Sequence, residues 1–239
     1  MFDFLKSRKS VIAGGILSGA TDNHSHILYD VDDGVRTVEE SLAILSMLEE
    51  QGLDTLWLTP HIMEDVPNTT DGLKQRFEEL RGVYKGNIKL FLAAEYMIDN
   101  LFEQRLESRD LLLHGGDRIL VETSTWAPPI DLWGTLERIM KAGYRPLIAH
   151  PERYRYMHPS DYKRLHDMGC LMQLNLSSII GAYGELPQVK AVDLLNRGWY
   201  CMFGSDCHRF RAIRQQYNHK VFLKDTLKKL SLIANGVTD

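Results

Sequence analysis

Groups able to hold a metal ion stand where the apolar runs of this chain stop: His24-Ser25-His26, His61, Glu95, Glu122, His150 and Asp206-Cys207-His208. His24 and His26 lie two apart on an expected strand, so both imidazoles leave the same face. Asp32-Asp33-Gly34 follows in the next loop, from which one carboxylate can fold back over that face. Each signal has an ordinary reading. A His-x-His pair can be core packing, His61 a surface loop histidine, the two aspartates a turn, and one glutamate the partner of an arginine. A carboxylate at the tip of an apolar run is nevertheless costly to bury unless paired or metal-bound. Taken together, the groups predict convergence on a multi-metal site. Mixed nitrogen and oxygen ligands suit Mn, Fe or Zn better than Ca, and this many ligands suit more than one ion.

The runs that carry these groups are of strand length. They cover residues 22–27, 55–59, 89–94, 119–122, 146–149, 171–175 and 200–204. Amphipathic stretches alternate with them. Residues 37–51 place Leu42, Leu45 and Leu48 at helical spacing behind a Thr37-Val-Glu-Glu capping box and stop at Gly52. Further helices are expected at 73–84, 131–141, 160–168, 188–196 and 213–234. Strand–helix alternation implies a parallel sheet with crossover helices. Seven strands fit a closed or nearly closed barrel, whose active site lies at the C-terminal strand ends. Those are the ends where the histidines and carboxylates fall.

At 239 residues, 44% hydrophobic and 25% charged, the chain has material for one such barrel. A net charge of −4 and a pI near 6.1 argue against a nucleic-acid binder. Three cysteines, Cys170, Cys201 and Cys207, without CxxC spacing read as reduced thiols of a cytoplasmic protein. Lys6, Arg8 and Lys9 precede a mildly apolar stretch, 11–20, interrupted by Gly14, Gly15 and Gly19. It is far short of the ~20 apolar residues a membrane span needs. Residues 1–20 are therefore expected as a flexible extension and 21–239 as a single domain, with no stable membrane insertion. Weak contact with a membrane surface or a membrane-bound partner is the alternative for the extension.

In order along the chain, His24-Ser-His26, Asp33, His61, Glu95, Glu122, His150 and Asp206-x-His208 match the signature of the PHP (polymerase and histidinol phosphatase) superfamily. From His24-Ser-His-Ile-Leu-x-x-Val-Asp-Asp-Gly34 through Thr59-Pro-His61 to His150-Pro-Glu-Arg-Tyr154, the chain resembles more narrowly the bacterial PHP-type protein-tyrosine phosphatases of capsular and exopolysaccharide systems. The resemblance implies a distorted (β/α)7 barrel, TIM-barrel-like in plan. It also implies three divalent ions, manganese first with Fe, Zn or Mg as alternatives, held by His24, His26, Asp33, His61, Glu95, Glu122, His150, Asp206 and His208. Arg153 takes the position of a phosphate-binding arginine, and Arg211 is the choice for a second one among Arg209, Arg211 and Arg214. The implied reaction is hydrolysis of phosphotyrosine by a metal-activated water, on the tyrosine-rich tail of a bacterial tyrosine kinase controlling polysaccharide export. The Pro-Gly usual before Val-Asp-Asp-Gly is here Tyr29-Asp30, which changes the pocket wall and removes no ligand.

Other chemistries remain at this stage. A small-molecule phosphatase, for instance one acting on histidinol phosphate, would share the metal site. An amidohydrolase also carries His-x-His on a first strand, but that class often places a modified lysine on the fourth, where this run ends in Glu122. A metal-storing scaffold would bind ions without turnover. No Cys-x5-Arg loop is present, so Cys207 is not expected to act as a nucleophile.

Overall fold

The computed structural model describes residues 7–236. Its centre is a curled, wholly parallel sheet. One portion joins β1 (Thr21–Asp22), β2 (Thr55–Leu58) and β4 (Lys89–Leu92) in the order β1-β2-β4. The other joins β3 (His61–Ile62), β5 (Glu95–Met97), β6 (Arg118–Glu122), β7 (Arg145–Ala149), β8 (Leu171–Asn175) and β9 (Met202–Gly204) in chain order. The two portions meet because two chain segments cross between them. Pro60, which lacks a ladder donor, separates β2 from β3, and Ala93-Ala94 separates β4 from β5. Backbone bonds span both breaks, Ala93 N to Leu58 O (2.9 Å) and Glu95 N to Pro60 O (3.1 Å).

The expected first strand, 22–27, is regular only at Thr21–Asp22. Beyond it the chain leaves the ladder but stays beside the end of β9. His26 N donates to Cys207 O (3.0 Å), Asp206 N to His24 O (2.8 Å), and Ser25 forms a parallel bridge with Cys207.

Strand parity separates two apolar environments. All five residues of β6 are buried. Leu120 joins Leu147, Ala149 and Met202 in a small cluster inside the curl, whereas Ile119, Val121 and Ile148 belong to the larger core under the helices. Glu122, two beyond Leu120, therefore tops the inner face.

The helices follow the expected start and stop signals. Thr37 caps α2 (Val38–Glu50), accepting from Glu40 N, and Asp131 caps α5 (Leu132–Lys141). α3 (Thr70–Val83), capped by Thr69, begins three residues ahead of its expected start, while α6 (Pro159–Asp167) and α8 (Glu185–Arg197) lie where helices were expected. The single helix expected over 213–234 is two, α9 (Phe210–Tyr217) and α10 (Lys224–Leu232). Between them Phe222 is buried and its backbone bridges to Lys9, which takes the chain off a helical path. α4 (Asn100–Ser108) and the five-residue α7 (Leu176–Ile180) were not anticipated.

The N-terminal extension also differs from expectation. Residues 1–6 lie outside the described residues, but Ser10 caps a short α1 (Val11–Gly14), and Val11, Ile16, Leu17 and Ala20 are buried in the main core. The glycines that weaken this stretch as a membrane segment serve as turns: Gly15 and Gly19 have positive φ. Among the described residues, no helix is long and apolar enough to cross a membrane.

Candidate metal centre

Every ligand expected from the sequence lies at the C-terminal mouth of the sheet. His61 and Glu95 open β3 and β5 on neighbouring, directly paired positions. Glu122 ends β6, His150 follows β7, and Asp206 and His208 follow β9. Their nitrogen and oxygen atoms form four overlapping groups, each with atoms within 4.8 Å of one another: His26, Asp33, His61 and His208; His24, Glu95 and His150; His24, His26 and Asp206; His61, Glu95 and Glu122. Shared members are what a polynuclear centre requires.

The geometry is that of donors aimed at common points. The Nε2 atoms of His24 and His26 lie 3.1 Å apart. Both face Glu95 Oε2, at 3.1 and 3.2 Å, and Asp206 Oδ1, at 3.6 and 3.4 Å. His61 Nδ1 is 3.2 Å from both Glu95 Oε2 and Glu122 Oε1, and His150 Nε2 is 3.0 Å from Glu95 Oε1. On the outer side, Asp33 Oδ1 sits 3.3 Å from His208 Nε2 and 3.6 Å from His61 Nε2. Both Glu95 oxygens and His61 Nδ1 are buried without a hydrogen bond. Orphaned buried acceptors of this kind are rare, and cations at these points would satisfy them. The residues present fit divalent metal ions.

Electrostatics point the same way. Burial and the adjacent Glu95 and Asp206 raise the Glu122 carboxyl well above its ordinary range. Burial works in the same sense on Glu95, but the charges of His24 and His61 outweigh it and hold Glu95 well below. Burial, with the charge of His26, pushes His61 down to about 4. Carboxylates crowded so closely repel one another, and a bound cation reverses that balance.

Local backbone is bent to serve the site. His150 (φ 32°) and Asp206 (φ 51°) are left-handed, at a cost of roughly 1–2 kcal/mol for a residue with a Cβ. Such strain collects at functional sites. Gly34 is needed for proximity: a Cβ there would lie 2.2 Å from His26 O.

Several supporting residues escaped the sequence reading as functional groups. Asp32, fully buried beside the exposed Asp33, accepts from His26 Nδ1 (2.7 Å), His61 N (3.0 Å) and Gly34 N (2.8 Å). The spacing Asp-Asp-Gly held the signal, since one aspartate cannot fill both places. Gln173 Oε1 lies 3.0 Å from His24 Nδ1 and accepts from His150 N (3.3 Å). Asn175 Nδ2 donates to Asp206 Oδ2 (2.8 Å). Gln173 and Asn175 share the inner face of β8, and two amides at that parity in an apolar strand are the trace they left.

Arg153, in a 3-10 turn (Pro151–Arg153), donates to Asp206 Oδ2 (2.7 Å) and lies over the Tyr183 ring at 4.4 Å. A cavity of about 270 Å3 opens there, bordered by Arg153, Tyr183, Asp206, His208 and Arg209. Arg211 is exposed on the first turn of α9 and does not border it. Arg209 bonds the carbonyl oxygens of Asp33 (2.8 Å) and Gly34, tying the aspartate loop to the end of β9. Cys207 is buried, and burial pushes its thiol well up, which leaves no thiolate for catalysis.

A curled parallel sheet with convergent histidines and carboxylates at its C-terminal mouth defines a metallohydrolase-type architecture. Residues 20–222 match the model of the family described as capsular polysaccharide synthesis, CpsB/CapC, and the chain belongs to that family. It is 32% identical over 201 residues to the tyrosine-protein phosphatase CpsB of Streptococcus pneumoniae, covering 78% of this chain and 82% of that one. To the tyrosine-protein phosphatase YwqE of Bacillus subtilis strain 168 it is 28% identical over 198 residues, 80% and 78% of the two chains. A crystal structure from the work on YwqE of B. subtilis and CpsB of S. pneumoniae, described as unique metal-dependent tyrosine phosphatases, superposes with a TM-score of 0.74. It has 22% identity and covers 92% of this chain and all of the other (100%). At that identity the superposition speaks for the fold alone.

Proposed function

We propose that this chain is a metal-dependent protein-tyrosine phosphatase, a phosphoric monoester hydrolase acting in capsular or exopolysaccharide synthesis. The observation that carries the reading is the set of four overlapping ligand groups beside a buried-edge arginine. Family membership and the relatives named as tyrosine-protein phosphatases supply the substrate class. The finer reading is three divalent ions, manganese first with Fe, Zn or Mg as alternatives, held by His24, His26, Asp33, His61, Glu95, Glu122, His150, Asp206 and His208. The substrate is the phosphorylated tail of a bacterial tyrosine kinase, met in the cytoplasm.

Residues 21–239 then act as one domain around a (β/α)7 barrel, with residues 11–20 packed onto its core. In that count β2 and β3 are one interrupted strand, as are β4 and β5. The Ser25–Cys207 bridge supports closure between the first strand and the last.

When bound, divalent ions would supply positive charge to a phosphoryl group and acidify a water nucleophile. The protein's own groups do the rest. Asp32 and Gln173 fix the His26 and His24 rings, so that the Nε2 atoms face inward. Arg153, held by Asp206 and Tyr183, offers its guanidinium to the equatorial phosphoryl oxygens. Arg211, exposed at the start of α9, adds a second positive charge at the rim. A phenolate leaves readily, so the site needs no strong general acid, and the neutral Cys207 thiol has no role.

Elemental analysis of the purified protein, with hydrolysis of a phosphotyrosine peptide and of histidinol phosphate, tests the reading. His26→Ala and Asp206→Ala should each lose bound metal and at least about 100-fold in kcat/KM on the peptide, with circular dichroism unchanged. Full activity in either variant refutes the assignment. A marked preference for histidinol phosphate moves the protein to small-molecule phosphatases.

A further inference from the structure

The cavity beside Arg153 does not end at the metal centre. Ala212 and Gln216 of α9 border it, and they also border a second, larger cavity of about 530 Å3, whose other walls include Gly181, Ala182, Gln215 and His219. The inner space is of the order of one large side chain. The outer one has no purpose for a phosphate monoester of a small metabolite. We propose that this outer groove, between the end of α7 and the outer face of α9, receives the residues next to the phosphotyrosine of a substrate polypeptide, and that it favours acidic ones. The proposal rests on the phosphatase reading and deepens it.

Three features support this occupant. The groove shares Ala212 and Gln216 with the cavity at Arg153, so a chain with its phosphotyrosine there can leave across Ala212. Its walls are firm and mix apolar with amide groups: Gln216 accepts from Ser177 Oγ (2.6 Å), and Gly181 closes α7 in a left-handed conformation with its N–H bonded back to the helix. Amide side chains at Gln215 and Gln216 can pair with an extended backbone, whose donors and acceptors need partners when they leave water.

Charge supplies the preference. No acidic side chain borders the outer groove. Arg211 and Arg214 are exposed on the same flank of α9 as Gln215 and Asn218, at helical spacings of three and four. From residue 209 to 220, through α9 and the turn after it, the chain carries four Arg or Lys and no Asp or Glu, in a protein whose net charge is −4. The rim is thus positive where the rest of the surface is on balance negative, which steers acidic segments.

Two variants outside the catalytic machinery test the groove. Ala182→Trp fills it, and Arg214→Glu reverses its rim. Against a phosphotyrosine peptide flanked by Glu and Asp, Ala182→Trp should raise KM about tenfold, while kcat/KM for p-nitrophenyl phosphate stays within about twofold. The wild type should prefer that peptide over a Lys-flanked one by about fivefold at low salt, and Arg214→Glu should abolish the preference. Equal losses on peptide and aryl phosphate, or no loss on either, overturn the groove and leave the phosphatase standing. A wild type inert towards every phosphotyrosine substrate overturns both.

Discussion

Asp32 and Asp33 are adjacent and alike in charge, yet the structure gives them opposite work. Asp33 is mostly exposed and reaches His208 and His61 with one oxygen. Asp32 is buried, and burial would raise its carboxyl, but the charge of His26 and its hydrogen bond hold it low. A carboxylate paired to a ring Nδ1 fixes the tautomer and presents Nε2 as a ligand. Asp32→Asn should therefore keep the fold and weaken metal binding about 10- to 100-fold, measured by titration of metal into the stripped protein. Unaltered affinity would mean that Asp32 shapes only the turn. The convergence of His24, His26, His61, Glu95, Glu122, His150, Asp206 and His208 was legible because a histidine or carboxylate closing an apolar run is out of place there. Gln173 and Asn175 left only a weak trace, since amides at alternate positions of a strand look solvent-facing until the curl of the sheet turns that face inward.

At the scale of elements, what could be read from sequence depended on local signals. α2 and α5 carry a capping side chain and repeated apolar spacing, and both lie within a residue or two of their expected bounds. α4 buries only Phe102 and Leu106 and offered less pattern, although Asp99 caps it. The division of the last helix depends on Phe222 bridging to Lys9, more than 200 residues away in sequence, which no local window contains. Another long-range tie has a measurable consequence. His114, ahead of β6, stacks on Trp57 of β2 at 4.2 Å and holds Asn23 O through Nε2 at 2.9 Å. Its Nδ1 is buried without a partner, and burial pushes the ring down to about 3. The unfolded chain takes up this proton near pH 6.5 and the folded one does not, so stability is whole above that value and falls towards pH 3. His114→Gln keeps a donor for Asn23 O and removes the titration. Between pH 7 and 5 the wild type should lose about 2 kcal/mol more stability than His114→Gln in urea unfolding. Parallel losses would show the ring to be solvated and charged.

Across the whole molecule, the mouth is where the fold is least self-sufficient. The curl of the sheet beneath it is filled by apolar side chains, and the helices pack outside on the main core. The mouth gathers Glu95, Glu122 and Asp206 in a buried volume, with Glu122 driven towards its neutral form. Burial of like charges is destabilising unless something of opposite sign stands between them. Arg153 neutralises Asp206 from one side, but Glu95 has no hydrogen bond at either oxygen. Metal ions that bind only the folded chain must then contribute directly to stability. A free ion at about 100 times its Kd adds about 2.7 kcal/mol, which in a chain of this size moves Tm by roughly 5–10 °C. Chelation followed by dialysis should lower Tm by that amount, and Mn should restore it together with phosphotyrosine hydrolysis. Asp206→Ala, which removes one of the crowded charges along with a ligand, should lose less Tm on chelation than the wild type does. A Tm indifferent to chelator in protein verified as metal-free would mean that the carboxylates are accommodated by protons alone, and the polynuclear centre would fall with it.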